Sequence, residues 1–310
     1  MIYTLTLNPA IDMNISSKSI TPDIVQRTEG AVYSPNGKGV NVSIVLKKNN
    51  IKSTILGYFG GFSGNYIIDE INKLDINILP FPIVENTRIN VFIHDGKHEY
   101  KFVSPGGYVT EDSQQDLINY IRLNLKENDY LVISGSLPPG INTSFYHEIL
   151  SVCNDKKTHI ILDISSPCLK ELLKYNPYLI KPNDDELKAI FGLSLNDEKS
   201  IIKALQMLRN QGVKNTLLTM GDKGLYFFDG ANAYYANALK INLLSSACAG
   251  DSSLAAFMSE FLFEGDIEKA LKKASATGAN VAESEGIGNL EKVEEYIQQV
   301  NIKKIEVKYE

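Results

Sequence analysis

Two hydrophobic rhythms alternate along most of this chain. Short apolar runs rich in β-branched residues recur, and between most of them lie stretches with the three-to-four-residue spacing of amphipathic helices. The apolar runs are IYTLTL, STILGYF, YLVISG, HIILDIS, YLIKPN and NTLLTMG, and the helical stretches are SGNYIIDEINKL, EDSQQDLINYIRLNL, SFYHEILSVC, CLKELLKY and EKSIIKALQMLRNQG. Such alternation predicts an α/β fold with a mainly parallel sheet covered by helices on both faces. The last third, from Leu254 to about Val300, has a mostly helical pattern.

Two segments interrupt this alternation and predict a second, smaller sheet. Residues 11–34 contain polar-rich alternating stretches, and residues 87–104 contain two strand patterns joined at Asp95-Gly96, a strong hairpin signal. A two-residue turn there would place Lys97, rather than His98, opposite His94. We therefore interpret the two histidines as exposed hairpin residues and not as a metal pair.

No linker, internal repeat or low-complexity tract divides the chain. We therefore expect one domain over residues 1–310, with the segments 11–34 and 87–104 inserted within it. The small sheet that they form would serve as a lid over a site or as a dimer surface.

Charge and cysteine content narrow the function classes. A net charge of −6 argues against a general nucleic-acid surface but leaves room for a local basic pocket. Cys153, Cys168 and Cys248 show no CxxC spacing, which predicts a reduced protein without disulfides or a zinc ribbon. The N-terminal stretch lacks a signal-peptide pattern, and no apolar run reaches the length of a membrane span. We expect a cytoplasmic protein without nucleic-acid or membrane partners.

Polar, glycine-containing turns follow several of the predicted strands. NPAID follows the first strand and supplies Asn8 and Asp12, while GSLPPG, KPNDDE and TMGDKG follow three later strands. Ligands of open α/β sheets bind beyond the carboxyl ends of the strands. The turns together therefore predict a ligand site at that edge.

Three stretches admit both a structural and a functional interpretation. In SPNGKGVNVS, Gly37 and Gly39 flank Lys38 at a helix start, which suits an anionic ligand or simply a glycine turn with a solvated lysine. It is neither a Walker A loop nor a GxGxxG motif. In KPNDDEL, Asn183 and Glu186 are spaced to reach a hydrated Mg²⁺ or to form a capping box.

The third stretch is SSACAGDSSLAAF, in which Ala249 and Gly250 precede Asp251 and a helical apolar pattern. Asp251 is either a helix cap or a carboxylate beside an anion bound at the helix N-terminus.

Taken together, the motifs resemble the phosphofructokinase-B branch of the ribokinase-like sugar kinases. TLTLNPAID, NGKGVNVS, SGSLPPG, KPNDDEL, TMGDKG and ACAGDSS occur in the order and spacing of that branch, over essentially the whole chain. The resemblance implies a three-layer α/β/α ribokinase-like fold with a β-sheet lid and a homodimer formed through that lid. It also implies ATP with Mg²⁺ as phosphoryl donor, and it allows for a monovalent cation.

The resemblance further implies a role for each motif. Asp251 would accept the proton of the sugar hydroxyl, and the N–H groups of Ala249, Gly250 and Asp251 would form the anion hole. On the nucleotide side the implied residues are Asn183 and Glu186 for Mg²⁺ through its waters, Lys181 near the ATP phosphates, and Thr219, Gly221 and Gly224 lining the nucleotide site. On the sugar side they are Asp12 for hydroxyls and Gly37, Lys38, Asn41, Arg88 and Arg27 for the sugar phosphate.

The basic cluster on the sugar side indicates the acceptor. Lys38, Arg88 and Arg27 would be unnecessary for a neutral sugar but suit one that already carries a phosphate. We therefore expect phosphorylation of a ketohexose monophosphate to the bisphosphate, with fructose 1-phosphate to fructose 1,6-bisphosphate leading. The alternative is tagatose 6-phosphate to tagatose 1,6-bisphosphate. A nucleoside kinase on the same fold would have no use for Lys38 or Arg88.

Three departures from the family pattern bear on activity. Cys248 stands where the family usually has the first glycine of GAGD, and it would strain the loop if that position needs a positive φ. Asn36 stands where the first of two glycines usually precedes the lysine, and asparagine is the best non-glycine residue for a left-handed conformation. The hairpin also ends in SPGG rather than the usual sequence. A catalytically weak sugar-phosphate sensor is therefore the alternative from another class.

Overall fold

The computed structural model describes residues 1–28 and 30–307. The strands within them are β1 (Ile2–Thr6), β2 (Ala10–Ser16), β3 (Gly30–Asn36), β4 (Ser53–Phe59), β5 (Asn77–Pro82), β6 (Arg88–His94), β7 (Glu99–Phe102), β8 (Tyr130–Ser134), β9 (His159–Asp163), β10 (Leu179–Ile180), β11 (Asn215–Thr219), β12 (Leu225–Phe228), β13 (Ala233–Ala236) and β14 (Ile302–Ile305). The helices are α1 (Lys38–Lys48), α2 (Gly61–Lys73), α3 (Glu111–Asn124), α4 (Ser144–Asp155), α5 (Leu169–Leu172), α6 (Asp184–Phe191), α7 (Glu198–Asn210), α8 (Ala249–Phe261), α9 (Ile267–Ala282) and α10 (Val293–Ile297).

Ten of the described strands form the main sheet, in the order β14-β13-β12-β11-β10-β9-β8-β1-β4-β5. From β5 to β11 every neighbouring pair is parallel, and the remaining pairs, up to β14, are antiparallel. The mainly parallel sheet predicted from the apolar runs is therefore confirmed. The antiparallel strands and β5 have no counterpart in the predicted runs. Pro80 and Pro82 make the sequence of β5 unlike that of a typical strand. Both prolines are tolerated because β5 is an edge strand of the sheet.

Helices cover both faces of the main sheet because successive strand residues point to opposite sides. In β8, Leu131 and Ile133 join the core beneath α3 to α7, whereas Val132 joins the core beneath α1, α8 and α9. This gives the predicted three-layer α/β/α arrangement. Among the described helices, none combines the length and the apolar character needed to cross a membrane.

The four remaining described strands form the small sheet, in the order β3-β2-β6-β7. This confirms that the two interrupting segments pair with each other. The two-residue turn predicted at Asp95-Gly96 is wrong, because His94 pairs with Glu99 and the loop spans four residues. Asp95 Oδ1 accepts the backbone N–H groups of Lys97 and His98 at 2.9 and 2.7 Å, and these bonds close the longer loop.

Candidate active site

The carboxyl ends of the parallel strands bring the predicted turns to one edge of the main sheet. Thr6 at the end of β1 is in register with Ser134 at the end of β8, which is in register with Asp163 at the end of β9. Lys181 follows β10, and Thr219 ends β11. The sheet therefore collects polar residues from five neighbouring strands, as the sequence predicts.

The glycines around Lys38 are required by close contacts with the β1 strand and its turn. Gly37 has φ 139°, and a Cβ there would lie 2.6 Å from Thr6 Cγ2. A Cβ on Gly39 would lie 2.4 Å from Thr6 Oγ1. The two glycines let α1 begin directly against β1, which places Lys38 at the sheet edge.

Asp163 binds two lysines at this edge. Its Oδ1 lies 3.1 Å from the Nζ of Lys38 and 3.1 Å from the Nζ of Lys181, and the carboxylate is fully buried. Burial raises the pKa of Asp163, but the two ammonium groups outweigh this and lower it. Burial lowers the pKa of Lys38, and the carboxylates of Asp163, Asp251 and Glu186 more than offset that effect. Both groups of the Lys38–Asp163 pair are therefore held in their charged forms.

Helix α8 begins beside these lysines. Cys248 is its N-cap in a left-handed conformation, with φ 63° and ψ −13°, and Asp251 is its third residue. The N–H groups of Ala249, Gly250 and Asp251 belong to the first helical turn, which has no intrahelical acceptors for them. A Cβ on Gly250 would lie 3.4 Å from Lys181 Nζ, so the lysine lies close to this helix end. The free N–H groups of this helix end and the ammonium group of Lys181 are therefore neighbours.

Asp251 does not cap α8, so the capping interpretation of this stretch is wrong. Its Oδ2 accepts a hydrogen bond of 2.8 Å from Asn41 Nδ2, and its side chain is buried in the first turn. Burial and the charge of Asp163 raise the pKa of Asp251 to about 6, although Lys38 and Asn41 act in the opposite direction. A carboxylate with a pKa near neutrality is well suited to accept a proton at physiological pH.

The second departure, Asn36, carries no backbone strain. It ends β3 and is not among the described residues with positive φ, so it does not use the left-handed tolerance of asparagine. Its Nδ2 donates to Asp12 Oδ2, and its Oδ1 accepts from Asn41 Nδ2 at 2.9 Å. Asp12 Oδ1 accepts from Asn90 Nδ2 at 2.9 Å. Asp12 and Asn41 are therefore joined through one amide.

Arg88 reaches this region from the small sheet, and Arg27 does not. Arg88 donates to the carbonyl oxygens of Ser104 at 3.0 Å and Asn8 at 2.9 Å, while its Nε is buried and has no partner among the described residues. Arg27 is exposed in the connection between β2 and β3 and lines neither cavity of the cleft.

Two adjoining cavities form a cleft beside the small sheet. The smaller one lies against the edge of the main sheet, and the larger one lies against α1, α2 and the loops at 244–248 and 284–288. One has a volume of about 400 Å³ and is lined by Lys38, Arg88 and Asn90, together with residues that end or follow β1 and β8. The other has a volume of about 540 Å³ and is lined by Asp12, Asn41 and Cys248. Asn36 lines both cavities. The first volume is sufficient for a small polar metabolite.

Buried polar atoms without partners line the smaller cavity. Besides Arg88 Nε, they are Asn90 Oδ1 and the hydroxyl oxygens of Thr6 and Ser134, which have no hydrogen-bond partner among the described residues. Buried polar groups are normally satisfied, so these atoms indicate a ligand rich in hydrogen-bonding groups.

Asn183 and Glu186 form the capping box that the sequence allowed. Asn183 Oδ1 accepts from the Glu186 N–H at 2.7 Å, and Glu186 Oε2 accepts from the Asn183 N–H at 2.9 Å. Glu186 Oε1 also accepts from the Ser165 hydroxyl. Among the described residues, no group of three or more His, Cys, Asp or Glu is arranged to hold a metal. These residues fit an Mg²⁺ that keeps its waters and its phosphate ligands, rather than one enclosed by side chains.

The predicted nucleotide residues lie at and after the ends of β10 and β11. The Thr219 N–H donates to the Pro182 carbonyl at 3.0 Å, which ties this strand end to the Asn183 turn. Gly224 is required by packing, because a Cβ there would lie 2.2 Å from the Ala236 carbonyl oxygen. A Cβ on Gly221 would meet nothing within 4 Å, so open space lies beside it.

Sequence reasoning missed four polar residues of the cleft. Asp163 ends the apolar run HIILD and Ser134 ends YLVIS, so the position of a polar residue at a strand end was an available signal. Thr6 sits at the corresponding end of β1. Asn90 had no such signal, because its role depends on the register of β6 with β2.

The fold and the site together define a class, that of kinases that phosphorylate a hydroxyl group of a sugar. Residues 5–293 match the model of the pfkB family of carbohydrate kinases, and the chain belongs to that family. This confirms the resemblance found in the motifs.

Three known proteins show the extent of the similarity. The chain is 47% identical over 302 residues to a D-tagatose-1-phosphate kinase of Klebsiella oxytoca, covering 97% of this chain and 99% of that protein. It is 34% identical to a 1-phosphofructokinase of Borreliella burgdorferi, covering 98% of this chain and 99% of that protein. A crystal structure of phosphofructokinase-2 from Escherichia coli in complex with substrates and products has a TM-score of 0.88 and 25% identity, covering 96% of this chain and 99% of that chain.

Proposed function

We propose that this protein transfers the γ-phosphoryl group of ATP to a ketohexose 1-phosphate, giving the 1,6-bisphosphate and ADP. D-tagatose 1-phosphate is the proposed substrate, because the relative named for that sugar is 47% identical, against 34% for the 1-phosphofructokinase. Fructose 1-phosphate, the leading substrate of the sequence interpretation, is the second candidate. Tagatose 6-phosphate is the third.

One observation carries this proposal: the smaller cavity combines cationic side chains with orphaned buried polar atoms. Lys38 and Arg88 line it, and Arg88 Nε, Thr6 Oγ1 and Ser134 Oγ have no partner among the described residues. A sugar phosphate would satisfy both features, because its phosphate accepts from cationic donors and its hydroxyls bond to the serine and threonine. A nucleoside would leave the cations without an anion.

Asp251 and the start of α8 support the chemical step. In the proposed reaction the sugar hydroxyl oxygen bonds to the γ-phosphorus, the bond from that phosphorus to the ADP oxygen breaks, and the hydroxyl proton passes to Asp251. The N–H groups of Ala249, Gly250 and Asp251 stabilise the charge on the transferring group. Phosphoryl transfer depends mainly on such positioning and charge neutralisation.

The proposed roles of the nucleotide-binding residues follow from their positions near the start of α8. Lys181 lies between Asp163 and the α8 N-terminus, where it would neutralise ATP phosphate charge. Thr219, Gly221 and Gly224 are proposed to line the nucleotide site. Asn183 and Glu186 would hold Mg²⁺ through its waters, and that ion would neutralise phosphate charge when bound. A monovalent cation is proposed as an optional further requirement.

The small sheet is proposed to act as the lid and as the surface of a homodimer. Val32 and Tyr33 on β3, and Phe102 with Val103 at the end of β7, are large apolar side chains exposed on this sheet. They lie on the two edge strands of the sheet, and exposed apolar side chains of this size suit an interaction surface. In a dimer, Arg27 of the exposed connection could reach a site to which it does not belong within one chain.

The test measures ADP release with ATP and Mg²⁺ against a panel of acceptors. The panel contains D-tagatose 1-phosphate, D-fructose 1-phosphate, D-tagatose 6-phosphate, D-fructose 6-phosphate, ribose and adenosine. We expect the highest kcat/KM with D-tagatose 1-phosphate, and ³¹P NMR of the product is expected to show a new phosphate at the sixth carbon. Tight binding of a sugar phosphate without turnover on any acceptor would favour the sensor instead.

A further inference from the structure

A chain of side-chain hydrogen bonds joins the sugar end of the cleft to Asp251. Asn36 Nδ2 donates to Asp12 Oδ2, and Asn36 Oδ1 accepts from Asn41 Nδ2 at 2.9 Å. Asn41 Nδ2 uses its other hydrogen for Asp251 Oδ2 at 2.8 Å. Because Asn41 Nδ2 and Asn36 Nδ2 are both donors here, the direction of every bond in the chain is fixed. Asn36 stands at its centre.

The backbone conformation at this position does not require an asparagine. Asn36 is a strand residue without a positive φ, whereas the tight turn is made by Gly37. The side chain of Asn36 lines both cavities and is half-buried. Its Oδ1 accepts from the Gly37 N–H as well as from Asn41, and its Nδ2 donates to Asp12, which lines the larger cavity. Asn36 therefore supports the local turn and also joins two polar residues of the cleft.

Asn36 helps to fix the orientation of the Asp12 carboxylate. Asp12 is 7% exposed, and each of its oxygens accepts one amide donor, from Asn90 Nδ2 at 2.9 Å and from Asn36 Nδ2. Two donors from two different strands fix the plane of the carboxylate. Asp12 lines the larger cavity, which adjoins the smaller one at Asn36. Its remaining lone pairs then have fixed directions, and a sugar hydroxyl that extends from the smaller cavity meets them only in the matching configuration.

A fixed, buried acceptor discriminates strongly between related substrates. When a hydroxyl points the wrong way, the carboxylate loses its partner while it remains desolvated, and binding in the transition state is weakened. A carboxylate free to rotate would follow the hydroxyl of either epimer, and most of this discrimination would disappear. The donor that holds Asp12 therefore matters for selectivity as well as for affinity.

We propose that Asn36 is a positioning residue that fixes the Asp12 carboxylate and thereby sets the discrimination between ketohexose phosphates that differ in the configuration of one hydroxyl. This inference rests on the proposed function. It assigns substrate selectivity to a side chain that does not take part in the chemical step.

The test compares two substrates in one set of variants. The readout is the ratio of kcat/KM for D-tagatose 1-phosphate to kcat/KM for D-fructose 1-phosphate, measured in the wild-type protein and in Asn36→Ala and Asn36→Gly. We expect the ratio to move toward one by at least about tenfold, the factor that loss of one such hydrogen bond produces. The KM for ATP is expected to stay within about twofold, because the nucleotide residues do not contact Asn36.

Asn14→Ala is the matched control. Asn14 lies on β2 two residues after Asp12, faces the same side of the small sheet and lines the larger cavity. We expect it to leave the ratio unchanged. Circular dichroism and thermal melting of each variant establish that it is folded, and if Asn36→Gly does not fold, Asn36→Ala carries the comparison.

The outcomes separate the two proposals. If both kcat/KM values fall in parallel in the Asn36 variants, the residue is merely structural and the inference is overturned. A wild-type ratio near one overturns it as well. If the wild-type protein phosphorylates neither sugar phosphate, the proposed function fails and the inference fails with it. An altered ratio with an unaltered KM for ATP supports the inference.

Discussion

The Nζ of Lys181 lies 3.1 Å from Oδ1 of Asp163, and both side chains are buried at the carboxyl edge of the main sheet. Lys38 shares the same oxygen at 3.1 Å. One carboxylate therefore holds two ammonium groups close together before any anion binds. The repulsion between the lysines is overcome by the protein itself, and an incoming phosphate meets cations that are already in place.

Asp163→Asn is expected to lower both stability and activity. The substitution keeps the shape but leaves the buried Lys181 and the partly exposed Lys38 without their counter-charge, and breaking a buried ion pair costs about 3–5 kcal/mol. Urea unfolding at pH 7.5 measures the stability, and ADP release measures the activity. Glu198→Gln is the control, because the Lys303–Glu198 pair is exposed at 2.7 Å and such pairs contribute about 1 kcal/mol or less. Equal effects of the two substitutions would contradict this account of Asp163.

Asp251→Asn is expected to lower kcat strongly while stabilising the fold at alkaline pH. The pKa of Asp251 is raised from 3.8 to about 6 in the folded protein. The unfolded chain therefore ionises first, and the stability of the wild-type protein falls as the pH rises from about 4 to about 6. Above that window the ionised carboxylate costs about 3 kcal/mol, which asparagine does not.

Urea unfolding at pH 4 and at pH 8 measures this effect. The Asp251→Asn variant is expected to be more stable than the wild-type protein at pH 8 and nearly equal to it at pH 4. Its kcat is expected to fall by two orders of magnitude or more, about the contribution of a general base, while sugar phosphate binding is retained. A variant that is less stable than wild type at pH 8 would show that Asp251 is not destabilised by its burial.

The sequence could predict the parallel strands that are buried on both faces of the main sheet. Apolar runs predicted β1, β4, β8, β9 and β11 because parallel strands covered on both faces are apolar throughout. The strands β12, β13 and β14 lie at the end of the sheet and pair antiparallel. They were not predicted, although the short apolar runs LYFF and AYYA mark β12 and β13. β10 is only two residues long, although its run suggested a full strand.

The site could be predicted where a motif lies in one continuous stretch. The turn with Lys38 and the start of α8 with Asp251 both lie where the motifs placed them. The network of Asp12, Asn36 and Asn90 depends on strand register in the small sheet, which a hairpin pattern does not determine. The turn after His94 was wrong by two residues for a local reason, because the Asp95 carboxylate accepts the N–H groups of Lys97 and His98 and closes a four-residue loop. Long-range register is a property of packing, and local sequence carries little of it.

Cys248→Gly is expected to stabilise the protein slightly and to leave it active. Cys248 has φ 63°, in the region that glycine tolerates best. A left-handed conformation costs a non-glycine residue about 1–2 kcal/mol, and the greater entropy of glycine in the unfolded chain offsets about 0.5–1 kcal/mol of that gain. The expected net gain is therefore about 0.5–1 kcal/mol, measured by urea unfolding. Turnover is expected to persist, because the anion-binding N–H groups begin at Ala249.

Cys248→Ala separates the backbone from the sulfur in this prediction. Alanine removes the Sγ, which lies 3.4 Å from Asn41 Nδ2, but keeps the Cβ that strains the left-handed position. It is therefore expected to give none of the gain. Burial and the charges of Asp251 and Asp12 raise the pKa of the Cys248 thiol to about 12, so the sulfur is neutral at physiological pH and contributes no charge to the site. If alanine stabilises the protein as much as glycine does, the cost lies in the sulfur and not in the backbone.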